Sequence, residues 1–415
     1  MALVGCTSLF GLVWVIGGIV TIFGAVCYAE LVASMPKSGG PYVYLKEAYG
    51  PLWAFLRGWA MFFVSETAAI TAVAIVFAEY SSVLIQISTG EPIPNKYISL
   101  IALSVIWFFT IVSLYGVALS GKIQTMLSSF KVLAIGAIIG IAFCSKGNPE
   151  NFVSPFFPES LSFSTLLAVG AALRYSFFAF SGWEGATYIA EEVKNPRRNL
   201  PISLFFGIGG VLLLYAGVNS AYLYLLSPTE IAGSKMVASD AMRVAIGASG
   251  GALIAAAVML STFGNVSTQI LCKARSWQAM ARDGLFFKKL AELHPTYKTP
   301  NNSLLAQGVW ASVLLLFASL QKNSYETVID FFSATSTIFN IMTFAAVFIL
   351  RKKYPDLERP YKAWLYPYSL IGILIIYSAF LILTLVTAPI PSLFGILLTF
   401  TGLIYYYRGG LFGVE

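Results

Sequence analysis

Charged residues are scarce in this chain: Asp, Glu, Lys and Arg make up 11% of its 415 residues, where a soluble domain carries about 25%. That deficit excludes a water-soluble globule. With hydrophobic residues at 58% and a mean hydropathy of +0.78, the chain belongs in a bilayer. Histidine occurs once, as His294, in a basic loop just before Pro295. A polytopic membrane enzyme needs His, Asp or Glu gathered for metal or acid–base work. With a single loop histidine, no phosphate loop and no nucleophile motif, neither enzyme chemistry nor a cofactor or metal is expected. The four cysteines, Cys6, Cys27, Cys144 and Cys272, lie in or beside apolar runs without metal-ligand or paired spacing, so they read as packing residues. Long polar connectors are lacking too. "SGKIQ", "SKGNPEN" and "RKKYPDLERP" are too short to hold a soluble domain, which leaves one all-α polytopic unit.

What is present is a series of apolar runs of the length that crosses hydrocarbon, about 17 to 25 residues. They fall near 10–34, 51–86, 97–119, 124–145, 165–192, 202–226, 250–280, 304–320, 328–350, 366–388 and 391–408, eleven in all. The formal charge of +7 is a matter of placement, not of binding nucleic acid. Assigning alternate connectors to one side gathers nineteen Lys and Arg there, against five opposite and two, Lys131 and Arg174, inside apolar runs. Because basic residues are retained on the cytoplasmic side, the C-terminus is expected in the cytoplasm of a multi-pass protein of the cell membrane. With an odd number of spans Met1 is then expected outside. No charged region precedes the first run, and residues 9–28 are too long for a cleavable signal, so a further upstream span is expected.

Charges at membrane depth cost about 2.5–3.5 kcal/mol each on insertion scales, so each is a functional candidate. Glu66, Lys131, Arg174 and Glu184 qualify. Lys131 reads either as a snorkelling side chain or as a fixed cation standing where a sodium ion would sit. Arg174, near the outer end of its run, reads as snorkelling or as meeting lipid headgroups. Glu66 reads as pairing with another helix or as taking up a proton. Glu30, Glu191 and Glu192 read as interfacial partners of basic loops.

The stretch "FFAFSGWEGATYIAEEVKNP" (177–196) places Ser181, Gly182, Glu184 and Gly185 where lipid offers the backbone no partner. Irregular backbone at that depth is tolerated only where it lines a protein cavity. A break here would free the carbonyls of Phe178, Ala179 and Ser181 for a ligand ammonium, with the rings of Phe178, Phe180 and Trp183 over it. The competing reading is close helix packing at Gly182 and Gly185. On these residues alone both stand.

Four ordered motifs favour the first. "CYAELVASMPKSGGPYVYLKEAYGP" (27–51), "FAFSGWEGATYIAEEVKNPRRNLP" (178–201), "AMARDGLFFKKLAELHPTYKTPNNSLLAQGVWAS" (279–312) and "YPDLERPYKAWLYP" (354–367) closely resemble the amino acid–polyamine–organocation permeases, most of all the L-type transporter branch and its bacterial exchangers. The likeness runs from about residue 10 to the C-terminus. It implies a fold similar to the leucine transporter, with two inverted five-helix repeats and two added helices. On that frame residues 10–145 form an incomplete first repeat lacking its first helix, 165–350 the second repeat and 366–408 the two added helices. The resemblance carries substrate binding to Phe178, Ala179, Phe180, Ser181 and Gly182, with Phe178 as an aromatic gate. It carries coupling or gating to Glu184 and Lys131, with Ser261 and Asn265 in "LSTFGNVS" as neighbours of the lysine. Glu66 joins the coupling set from its depth alone.

The function expected is secondary transport of amino acids, with lipid around the protein and a small amino acid as its cargo. Neutral L-amino acids are favoured because no acid or base beyond Glu184 is evident to hold a charged side chain. Sodium-independent exchange or proton symport is the expected mode, and a non-transporting relative is the alternative. The outer loop "STGEPIPNKY" has no cysteine of the kind that links animal L-type transporters to a glycoprotein, so no disulfide-linked heavy chain is expected.

Overall fold

The computed structural model describes residues 1–408 except 38, 92, 116–119, 154, 159, 161, 235 and 322–323. The described residues form helices joined by short connectors. The first long helix is α1 (Thr7–Ser34), followed by a short α2 (Pro41–Tyr49). Helix α3 (Pro51–Ala60), a π-helical turn (Met61–Ser65) and α4 (Glu66–Thr89) run on as one continuous span of 39 residues. Next come α5 (Asn95–Leu114), α6 (Ser120–Cys144), α7 (Phe163–Ala179), a 3₁₀ stretch (Trp183–Glu192) and α8 (Pro196–Leu225). The short α9 (Pro228–Gly233) and α10 (Val237–Ile246) precede α11 (Ala248–Arg282), α12 (Asn301–Ser319), α13 (Ser324–Lys353), α14 (Tyr368–Thr387) and α15 (Pro389–Arg408).

Nine of these spans are long and apolar enough to cross a membrane, and two shorter apolar helices, Ser128–Cys144 and Phe163–Ala179, fall at the remaining two of the eleven expected positions. The shortfall at α7 has a physical cause. Its 17 residues rise about 25 Å at 1.5 Å each, less than the hydrocarbon thickness of about 30 Å, because the helix ends inside the protein.

Helix α11 lies along α4, α1 along α8, and α13 packs on α4, α14 and α15. Tyr28, Tyr44, Phe55, Trp277 and Phe344 are fully buried at the centre of this arrangement. Large side chains on the outer faces, such as Leu133, Phe206, Leu213 and Ile390, are exposed, as lipid-facing residues should be, since lipid is as apolar as they are. Close helix approach is set by small residues. A Cβ on Gly17 of α1 would stand 2.2 Å from Ser176 Oγ of α7, so this crossing admits nothing larger than glycine without a shift.

Candidate functional site

Helix α7 starts with Ser162 as cap, whose hydroxyl accepts from the Thr165 N–H at 3.3 Å. It stops at Ala179. Three residues on, Gly182 takes φ +89 and ψ −5, a left-handed conformation that costs an L side chain about 1–2 kcal/mol and glycine almost nothing. Phe180 fixes the exit of the chain by wedging its ring against Trp14 of α1 and Tyr215 of α8, with centroids at 6.0 and 5.0 Å. The backbone then continues as ten residues of 3₁₀ helix, much longer than the three or four that are usual.

Two of the three carbonyls expected to be free are engaged. Ala179 C=O accepts the Tyr215 hydroxyl at 2.6 Å, and Phe178 C=O accepts from the Ser181 N–H at 3.0 Å and the Ser181 hydroxyl at 2.7 Å. A local side chain and a tyrosine from α8 thus satisfy a helix end that lipid could not. The Ala179 oxygen keeps a second lone pair, whereas the two bonds from Ser181 occupy both of those on Phe178.

The break borders a cavity of about 560 Å³, in the size range of small-molecule sites. Phe178, Ala179, Ser181, Gly182 and Glu184 line it from the broken segment, Glu66 from α4, and Asn265 from α11. Phe178 also packs on Phe332 of α13 at 5.6 Å, so its ring spans the cavity wall. Three expected site residues stand elsewhere. Phe180 is 5% exposed and turned into the α1–α8 packing, Ser261 lies higher on α11, and Lys131 is half-buried on α6; none of them lines the cavity.

The cavity also carries charges that the placement of basic residues hides. Arg57 and Lys273 are two of the nineteen basic residues that the alternation of connectors assigns to the cytoplasmic side, yet both line the cavity, 3% and 13% exposed at their side chains. Lys273 lies nine residues before the end of α11, a depth of about 13 Å, and that spacing was the signal available in the sequence. The side count becomes seventeen against five, and the asymmetry persists. Glu66 bridges the two cations, ion-paired with Lys273 through Oε2 and standing 3.8 Å from Arg57 Nη2 through Oε1. The π-helical turn before Glu66 shifts the following α4 residues round the helix axis relative to an unbroken α-helix. It also leaves the Phe63 carbonyl to accept the Trp310 indole N–H at 2.9 Å and the Phe62 carbonyl to accept the Thr67 hydroxyl at 2.7 Å. Such turns occur often at functional sites.

Arg174 does not snorkel. It is 6% exposed, its Nε stands 3.0 Å from Asp330 Oδ1 of α13, and its guanidinium also donates to the Thr387 hydroxyl of α14. The ground for a neutral side chain, that only Glu184 carries charge near the cargo, therefore does not hold: Arg57, Glu66, Arg174 and Lys273 line the same cavity. Among the described residues no group of three or more His, Cys, Asp or Glu is placed to hold a metal ion. His294 uses Nδ1 to accept the Thr296 and Tyr297 N–H groups at 3.3 and 3.2 Å, as a loop residue does.

A helix interrupted beside a polar cavity in a polytopic bundle is the arrangement of a carrier. The family described as amino acid permease matches residues 1–406. The chain belongs to the amino acid permease family. It is 33% identical over 399 residues to the serine/threonine exchanger SteT of Bacillus subtilis (strain 168), covering 95% of this chain and 87% of that one. It is 31% identical over 405 residues to the b(0,+)-type amino acid transporter 1 of Mus musculus, covering 95% and 79%. It is 30% identical over 413 residues to the large neutral amino acids transporter small subunit 2 of the same species, covering 98% and 75%. The permease is thus similar to transporters and exchangers along almost its whole length.

Proposed function

We propose that the permease moves amino acids across the cell membrane by exchange, with the broken segment at Phe178–Gly182 and the adjoining cavity as the place where the cargo sits. One observation carries this reading: a membrane helix ends at Ala179, short of the bilayer thickness, against a cavity of about 560 Å³. The cargo ammonium is held by the Ser181 region and by the second lone pair of the Ala179 carbonyl, and the Phe178 ring closes over it. The relatives named for serine, threonine and large neutral amino acids make neutral L-amino acids the first class to test.

The cytoplasmic C-terminus follows from the charge asymmetry, and the division into 10–145, 165–350 and 366–408 follows from the resemblance to inverted-repeat carriers. Lys131, Ser261 and Asn265 are proposed as the coupling set, with the lysine replacing a sodium ion. Glu66 and Glu184 complete it from the cavity wall.

The test is counterflow of labelled L-serine, L-threonine and L-leucine into proteoliposomes holding the purified chain, with and without internal amino acid, sodium and a pH gradient. Uptake should rise at least tenfold with internal amino acid and be indifferent to sodium. Lys131→Ala should lower turnover at least tenfold. Uptake blind to internal amino acid would overturn exchange, and strict sodium dependence would overturn the role given to Lys131.

A further inference from the structure

Arg57 is the least expected residue of the cavity wall. Its guanidinium is buried, yet Nε and Nη1 have no hydrogen-bond partner among the described residues. The Tyr188 hydroxyl is buried beside it, within interaction range of the Arg57 guanidinium but without a well-formed hydrogen bond, and Tyr188 lines the same cavity at 5% exposure. A buried donor without an acceptor costs about 1–3 kcal/mol, more for a charged group, so three at one end of a cavity call for an acceptor. Arg57 does gain the Phe339 ring at 5.6 Å, but that contact satisfies no N–H.

The charges agree. Arg57 and Lys273 share one carboxylate, Glu66, through ion pairs. Lys273 Nζ lies 5.9 Å from the Tyr188 ring, which ties the triad to the lower part of the 3₁₀ stretch. Glu184, on the same stretch, is the other carboxylate whose field reaches Arg57, and no ion pair joins the two. The planar fork of an arginine fits a carboxylate through two parallel hydrogen bonds.

Position then selects which carboxylate. Tyr188 is six residues past Gly182, and a 3₁₀ helix rises about 2.0 Å per residue, so its backbone stands about 12 Å along the stretch from the break, with Glu184, whose field reaches Arg57, between them. The α-carboxylate of a cargo whose ammonium sits at the break is too near that ammonium to span the gap. A carboxylate at the end of an extended side chain reaches much of the way.

Resting on the transport reading above, we propose that Arg57, helped by the Tyr188 hydroxyl and the Lys273 charge, forms a subsite for a side-chain carboxylate, and that the permease therefore accepts dicarboxylic amino acids beside neutral ones. Arg57 and Tyr188 are specificity-determining residues in this role, and Glu66 positions the two cations.

The test uses the full chain purified in detergent and the isosteric pair L-glutamate and L-glutamine, which differ by carboxylate against amide. Binding is read by calorimetry, which does not depend on turnover, and the Arg57→Gln, Arg57→Lys and Tyr188→Phe variants are checked for monodispersity first. The wild type should bind glutamate more tightly than glutamine. The glutamate-to-glutamine affinity ratio should fall at least tenfold in Arg57→Gln, less in Arg57→Lys, and about threefold in Tyr188→Phe. A ratio near one in the wild type, or one unchanged by Arg57→Gln, overturns the subsite. If Arg57→Gln is not monodisperse, the wild-type ratio and Tyr188→Phe decide. Equal loss of both ligands in Arg57→Gln would place Arg57 at the α-carboxylate and also overturn it. Failure of exchange in proteoliposomes with the binding ratio intact would instead strike the transport reading.

Discussion

Glu30 shows how much of a membrane protein's charge chemistry is hidden from composition. In sequence it is one more interfacial acid; in the structure it is 3% exposed and holds three segments together. Its carboxylate accepts from Arg351 Nε and Nη2 at 2.7 and 2.6 Å and from the Ala363 N–H at 2.7 Å, while the Arg351 guanidinium lies 3.7 Å from the Tyr366 ring. Removing one partner of a buried pair leaves the other charge uncompensated, at a cost of about 3–5 kcal/mol. Glu30→Ala should therefore lower stability by about 3 kcal/mol, measured by denaturant unfolding in detergent, and a loss under a third of that would show the cluster to be dispensable. Gly182 is the opposite case, since a Cβ there meets nothing within 4 Å and only its φ of +89 objects. Gly182→Ala should cost about 1–2 kcal/mol at the break and lower exchange severalfold, and Gly182→Asn should cost less because asparagine visits this conformation more readily.

At the scale of elements, the half-helix α7 is clamped by Arg174 to Asp330 of α13 and to Thr387 of α14. Neither partner could be named from sequence, because 156 and 213 residues separate them from the arginine. A double-mutant cycle with Arg174→Ala and Asp330→Ala should give a coupling of about 1–3 kcal/mol, and each single variant should lose most exchange. Additive effects would mean that the two act apart. Ser181, Gly182 and Gly185 in an apolar run left a break and close helix packing equally open, and the family-like motifs favoured the break. Which carbonyls stayed free was not legible, because Tyr215 reaches Ala179 from 36 residues away.

On the scale of the whole molecule, the ends of the long helices are tied by contacts at the membrane edge. Asp283, just past α11, takes the Lys46 ammonium and the Tyr42 hydroxyl from α2, each at 2.8 Å. Burial pulls the carboxyl upward, but the hydrogen bonds from Lys46 and Tyr42 and the Lys46 charge outweigh it and hold it below its ordinary value. A depressed carboxyl stabilises the fold above its unfolded pKa of about 3.9 and loses that contribution as pH falls through the folded value. Because both side chains are substantially exposed, at 41% and 32%, the contribution is under about 1 kcal/mol. Asp283→Asn should accordingly lower stability slightly at pH 7 and less at pH 3, measured by thermal unfolding in detergent. An equal effect at both would remove the charge from the account.

The sequence by itself determined the polytopic helical class, the apolar runs and the charge asymmetry, because each depends on local composition and on the absence of water in hydrocarbon; the position of the break needed the family resemblance besides. Glu66 and Glu184, singled out by their depth in apolar runs, line the cavity, and so does Asn265, which the resemblance gave as a neighbour of Lys131. Only the tertiary structure decided that Arg57 and Lys273 belong there too, that Phe180 turns away, and that Lys131 and Ser261 stand outside the lining. Those outcomes depend on which helix faces which across the bundle. A run of apolar residues does not encode that, because every face of it is equally welcome in lipid.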